Sequence, residues 1–103
     1  MPTMQGTILS TDGINFSLAF NIDDLPMYGS GRFLSSAIPS FLSKNATLTY
    51  VNKDDLTGTK SVTGVVGKAT LNMLSENVKI TGNLEVPFPT EIPMTGQITW
   101  SSG

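Results

Sequence analysis

The C-terminal stretch NVKITGNLEVPFPTEIPMTGQITW, residues 77–100, combines two conflicting signals. Its even-numbered positions are mostly apolar and its odd-numbered positions mostly polar, which is the period of a β-strand with one buried face. Prolines at positions 87, 89 and 93 interrupt the stretch, although proline cannot donate a hydrogen bond inside a sheet. One straight strand of this length would reach about 75 Å, whereas the radius of gyration of a domain of this size is about 13 Å. The stretch must therefore turn back on itself.

We predict that it forms a β-hairpin with its turn centred on Thr90, because this symmetry keeps all even positions on one face. The hairpin would place Leu84 opposite Gly96 and Gly82 opposite Ile98, so that each glycine faces a large side chain. The prolines would then lie near the tip, where they stop the outer edges from accepting another strand.

A second strand is predicted by INFSLAFNI, residues 14–22, in which apolar and polar residues alternate without an error. The preceding Asp12-Gly13 pair is a hairpin signal. A one-residue change of register moves every side chain to the other face, so the loop length matters. We predict a three-residue loop ending at Gly13, which pairs Phe16 with Ile8 and keeps the apolar residues together.

The pattern changes to a helical period at residues 34–42. Leu34, Ile38, Phe41 and Leu42 lie on one helical stripe, and the serines before them suit a helix N-cap. We therefore predict one short helix over about residues 36–44.

Further alternating segments follow this predicted helix. They lie at 46–50, 62–66 and 69–73, with a bend at Gly67 and turns at 52–58 and 75–77. The sequence predicts an all-β fold of seven or eight antiparallel strands with that one short helix. It forms either a β-sandwich or a small closed barrel, in a single domain covering residues 1–103.

The composition argues against catalysis. Cysteine and histidine are absent, which removes thiolate ligands, disulfides and the commonest general base. No serine lies three residues before a lysine, and most acidic residues fall in turns or on polar faces. We predict a non-enzymatic protein with no catalytic residue, no metal site and no cofactor.

The charge pattern also limits the partners. The formal net charge is −2 and the six basic residues are scattered singly, so we expect no binding to nucleic acid. No apolar run approaches the length of a membrane-spanning helix, and no signal peptide pattern is visible at the N-terminus. The compartment stays open.

The segment YGSGR is the most suggestive short motif for binding. We interpret it as a loop, in which the N–H groups of Gly29 and Gly31 could point at an anion beside Arg32, the only arginine of the chain. Tyr28 could add a sugar or carboxylate contact. The competing interpretation is a plain flexible connection.

Only 14% of the residues are charged, and the polar surface consists largely of Thr, Ser, Asn and Gln. Such a surface costs less to desolvate than one of Lys and Glu, which suits contact with another protein. We therefore predict a homo-oligomeric structural or interaction module that binds copies of itself or another protein. The candidate interface residues are Thr47, Thr49, Thr81, Thr95 and Thr99.

Two alternatives stay open at this point. The first is a barrel that binds a small apolar ligand in an interior lined by aromatic side chains. The second is a lectin-like module that binds a glycan through Tyr28, Arg32 and the acidic turns.

Overall fold

The protein folds into a closed barrel of eight antiparallel strands, arranged around the barrel in the order β1-β2-β3-β8-β5-β6-β7-β4. The barrel is thus the correct one of the two predicted architectures. The computed structural model describes residues 3–10, 13–22, 25–34, 38–75 and 77–102. The strands are β1 (Thr3–Ser10), β2 (Asn15–Ile22), β3 (Leu25–Phe33), β4 (Phe41–Tyr50), β5 (Gly58–Val66), β6 (Thr70–Ser75), β7 (Val78–Asn83) and β8 (Ile92–Ser102).

Because every strand runs antiparallel to both neighbours, the connections alternate between the two ends of the barrel. The connections after β1, β3, β5 and β7 lie at one end, which we call the upper end. Those after β2, β4 and β6 lie at the lower end. The whole molecule measures 36 × 23 × 22 Å.

Large apolar side chains fill the interior. Near the upper end, four phenylalanines form a continuous chain, with ring centroids 4.6 Å apart for Phe16 and Phe33 and 6.3 Å apart for both Phe33–Phe41 and Phe41–Phe88. Trp100 and Leu56 are buried near the lower end. The side chains that are less than 2% exposed are Phe20, Ile8, Leu18, Ile38, Leu48, Leu56, Leu71, Met73, Ile80, Ile98, Val62 and Val66.

The predicted hairpin about Thr90 is wrong. β7 pairs with β4 and β6, whereas β8 pairs with β3 and β5, so the two strands are not neighbours. Gly96 lies opposite Phe33 and Val62, and Gly82 lies opposite Leu71. The prediction that a glycine faces a large side chain is thus correct in kind, but the partners come from distant parts of the sequence.

The proline-containing segment between β7 and β8 crosses the upper end of the barrel. Its backbone N–H groups at residues 84, 85 and 88 donate to the carbonyl oxygens of Ala69, Leu42 and Lys68, at 2.8, 2.9 and 2.6 Å. Leu84 and Phe88 point inward and are buried, whereas Val86 is 74% exposed. The even-numbered positions of β7 and β8 therefore both face inward, although the segment between these strands is a loop that closes the upper end of the barrel.

The predicted helix over residues 36–44 is also wrong. Residues 38–40 have no regular structure, and β4 begins at Phe41. β1 supplies hydrogen-bond partners along β4, from Thr3 opposite Thr49 to Ser10 opposite Phe41, and this pairing overrides the helical stripe. Residues 35–37 lie outside the described residues. No α-helix occurs in the described ranges, and none of their helical turns is long and apolar enough to cross a membrane.

The first hairpin keeps the predicted face but not the predicted register. Ile8 pairs with Leu18 and Gly6 with Phe20, which is two residues away from the predicted alignment. A Cβ atom on residue 6 would lie 2.6 Å from the Phe20 ring, so glycine is the residue that admits this pairing.

Three local predictions are confirmed. Gly67, with a φ of 112°, makes the turn between β5 and β6, and its N–H donates to the carbonyl of Thr70 at 2.8 Å. The β6–β7 hairpin follows Ser75, which pairs with Val78. The polar turn after β4 is a 3-10 helix at Lys53–Leu56, capped by Asn52, whose side chain accepts from the N–H of Asp54 at 3.0 Å.

Candidate functional site

The segment predicted to be a binding loop is a strand. Tyr28 to Arg32 form the centre of β3, which pairs with β2 on one side and β8 on the other. The backbone groups of these residues belong to the two ladders, so they do not form the anion-binding concavity that we predicted. The alternation of inward and outward positions along β3 shows that this segment is a strand, and the residues Gly-Ser-Gly do not reveal that alternation in the sequence.

The two glycines of this segment face the interior. A Cβ atom on residue 31 would overlap the ring of Phe16, and one on residue 29 would contact Leu18, Ile98 and Trp100 at 3.0–3.3 Å. Both glycines are present because large side chains of neighbouring strands occupy the space beside them.

Tyr28 and Arg32 point outward on the same face of β3, about 13 Å apart along the strand. Tyr28 is 47% exposed and Arg32 is exposed. On β8 they lie opposite Ser101 and Gln97, and Ser30 between them lies opposite Thr99. Both predicted contact residues are therefore available on the surface.

The structure brings two of the predicted interface threonines to this same surface. Both face outward on β8: Thr99 lies opposite Ser30 of β3, and the carbonyl of Thr95 accepts from the N–H of Leu34, just beyond the end of β3. On their other side they lie opposite Thr63 and Thr59 of β5, and the hydroxyl oxygens of Thr59 and Thr99 are 2.9 Å apart. We call the outward side of β3, β8 and β5 the threonine face.

The other three predicted threonines lie elsewhere on the barrel. Thr47 of β4 lies opposite Thr81 of β7, and Thr49 lies opposite Lys79. β4 and β8 are four strands apart in an eight-stranded barrel, on opposite sides. The five threonines therefore cannot share one flat contact surface, and they divide into two separate groups.

Charge is distributed unevenly around the barrel. Among the outward positions that the structure describes on the five neighbouring strands β1, β2, β3, β8 and β5, Arg32 is the one charged residue. Lys60 of β5 takes an inward position and is half-buried. By contrast, Lys44 and Lys79 are exposed on β4 and β7. The alternation in the sequence together with the strand order is enough to identify this sector, but the strand order is not evident from the sequence.

The interior positions near β3 carry side chains in direct contact. Phe16 lies against Gly31, and Leu18, Ile98 and Trp100 surround Gly29. The predicted interior site for an apolar ligand gains no support from this arrangement. Within the described residues, no group of three or more acidic side chains lies close enough to hold a metal ion.

A polar hollow that was not predicted from the sequence lies on the other side of the barrel. It has a volume of about 260 Å³ and opens on the outer surface of β4, β7 and β6. Its polar lining includes Asn45, which sits at an irregularity in β4 that the predicted helix concealed. The lining residues are Asn45, Thr47, Thr70, Leu71, Asn72, Thr81, Gly82 and Asn83.

Comparison of the chain with known protein families, with curated proteins and with solved structures found no match.

Proposed function

We propose that the protein is a non-enzymatic binding domain that assembles with copies of itself through the threonine face. The observation that carries this proposal is the sector of five neighbouring strands with Arg32 as its one charged outward residue among the described positions. Burying a Lys or Glu side chain in a contact costs a large hydration free energy, whereas burying a short neutral side chain costs much less. Depletion of charge is also the compositional mark of interface centres.

Tyr28 and Arg32 are the side chains best suited to anchor such a contact. Tyrosine and arginine are enriched among residues that dominate binding energy, and they stand at either end of one row on β3. A two-fold axis passing near Ser30 would place Arg32 of one copy over the ring of Tyr28 in the other. The guanidinium and the aromatic ring would then form a cation–π pair twice per dimer.

The mass in solution tests this proposal. Size exclusion with light scattering over a hundredfold concentration range should give a stable multiple of 11.0 kDa. Thr99→Lys places a charge in the centre of the threonine face and should shift the protein towards monomer. Thr70→Lys, an exposed position on β6, is the matched control and should leave the mass unchanged.

Two outcomes would overturn the proposal. A wild-type monomer at every concentration removes self-assembly. If the oligomer persists in the Thr99→Lys variant, or if Thr70→Lys dissociates it to the same extent, the contact lies on another surface.

A further inference from the structure

The polar hollow lies beside an irregularity in β4. The β1–β4 register shifts between Gly6, which pairs with Ala46, and Ile8, which pairs with Ser43, so that one extra residue is inserted in β4. This is a β-bulge, and bulges commonly redirect a side chain beside a functional site. Here Lys44 and Asn45 both face outward.

The bulge lies where the regular pairing of β4 with β7 ends. Regular pairing of these strands runs from Tyr50–Val78 to Thr47–Thr81 and stops there. Beyond it, the side-chain oxygen Oδ1 of Asn45 accepts from the backbone N–H of Asn83 at 3.3 Å. A side-chain amide thus stands where a backbone carbonyl would continue the ladder, and it forms part of the wall of the hollow.

The lining of the hollow has one chemical character. Three adjacent strands each contribute two neutral side chains that both donate and accept hydrogen bonds. None of the described residues that line the hollow is charged, and Leu71 and Gly82 are the apolar ones among them. An ionic ligand would find no counter-charge, and an apolar ligand would find little wall to contact.

We infer that this hollow binds a neutral polyhydroxylated ligand of the size of one sugar ring. Hydroxyl groups at several positions of one ring can each pair with a hydroxyl or amide of Asn72, Thr81 or Thr47. Because the described lining contains no aromatic side chain and the hollow is open to solvent, a single sugar unit is held weakly, and the expected Kd lies in the millimolar range.

This site is independent of the proposed assembly. The hollow lies on β4, β7 and β6, whereas the threonine face lies on β3, β8 and β5, and they share no strand. An oligomer formed through the threonine face would leave its hollows open and could hold several sugar units of one glycan at once.

A titration followed by amide chemical shifts tests this inference. The probes are the methyl glycosides of galactose, glucose, mannose and N-acetylglucosamine, with glucose 6-phosphate as the charged comparison. At least one neutral glycoside should give saturable shifts centred on residues 45–47, 70–72 and 81–83. Glucose 6-phosphate should bind more weakly than methyl glucoside.

Variants locate the binding. The side chain of Asn72 makes no hydrogen bond within the described part of the barrel. Asn72→Ala should therefore weaken glycoside binding about tenfold, as loss of a hydrogen-bonding group in a polar site does. Gln97→Ala on the threonine face is the control and should leave the Kd unchanged. Thr99→Lys should also retain binding, which separates this inference from the assembly proposal.

The inference is overturned if no neutral glycoside gives saturable shifts, or if the shifts lie on β3 and β8. It is equally overturned if Asn72→Ala binds as the wild type does.

Discussion

The hydroxyl of Ser43 occupies the space in which a side chain on residue 82 would begin. A Cβ atom placed on Gly82 would overlap Oγ of Ser43 and would lie 3.2 Å from Cα of Ala46. β4 and β7 therefore approach each other this closely because one strand has glycine and the other has a small residue. This contact lies under the floor of the hollow, since Gly82 also lines it.

Replacing Ser43 by alanine should stabilise the protein. Ser43 is fully buried, and its Oγ has no hydrogen-bond partner within the described part of the chain. An unsatisfied buried hydroxyl costs about 1 kcal/mol or more, and alanine removes it with almost no change of volume. Thermal unfolding should show a melting temperature about 4–8 °C higher.

The comparison for this variant is Ser10→Ala. Ser10 is equally buried, but its hydroxyl donates to the carbonyl of Asn15 at 2.9 Å. Loss of this hydrogen bond in Ser10→Ala should destabilise the protein by about 1 kcal/mol. If both alanine variants shift the melting temperature in the same direction, the hydrogen-bond explanation fails.

Gly82→Ala should destabilise the barrel by about 2 kcal/mol, because the added methyl group overlaps the Ser43 hydroxyl in a tightly packed seam. The double variant Ser43→Ala/Gly82→Ala should recover most of this loss, since the nearest remaining atom is at 3.2 Å. Urea unfolding of the four proteins gives a coupling energy, expected at about 1 kcal/mol or more. Additive effects would show that the two residues do not share the space that the structure assigns to them.

The two inward glycines of β3 should differ in their tolerance of alanine. A methyl group at residue 31 meets three ring atoms of Phe16, and this ring is held against Phe33 at 4.6 Å. At residue 29 the nearest atoms are 3.0–3.3 Å away and belong to three different side chains. Gly31→Ala should therefore cost about 3 kcal/mol and Gly29→Ala about 1 kcal/mol.

Denaturant unfolding distinguishes this packing explanation from backbone strain. Both glycines lie in regular strand, so backbone strain predicts an equal loss of stability at the two positions. Adding Phe16→Leu to Gly31→Ala should restore part of the stability, since the smaller side chain leaves room for the methyl group. Equal losses at both positions, or no rescue, would contradict the packing explanation.

Local pattern predicted the strands better than their pairing. The alternation in residues 14–22 identified β2 and the inward positions of Phe16, Leu18 and Phe20 correctly, whereas Ile14 lies before the strand and is 48% exposed. The first part of β4, residues 41–44, was mistaken for a helix because the bulge shifts the inward positions between Ser43 and Ala46, and because a buried serine resembles a surface residue in sequence. The second part was correctly predicted as the strand at 46–50. No local sequence pattern predicts that β8 pairs with β3 and β5, because these pairings depend on contacts between segments that are distant in the sequence.

The same limit applies to the candidate sites. Tyr28 and Arg32 could be chosen from their residue types, but their shared face follows only from β3 being a strand. The hollow requires β4, β7 and β6 to be neighbours, which the sequence alone did not reveal. Residue chemistry was thus predictable, whereas the grouping of residues was not.

The proposed Tyr28–Arg32 contact between copies predicts a specific order among variants. Tyr28→Phe keeps the aromatic ring and should retain the oligomer, whereas Tyr28→Leu loses the cation–π interaction and should raise the dissociation constant about fivefold. Arg32→Gln should weaken assembly by a similar factor. If Arg32 lies on Tyr28 of the second copy, Tyr28→Leu combined with Arg32→Gln should cost clearly less than the sum of the two changes. Sedimentation equilibrium of the wild type and these four variants measures the four differences. Fully additive losses, or an equal loss for Tyr28→Phe and Tyr28→Leu, would show that these side chains do not meet across a two-fold axis near Ser30.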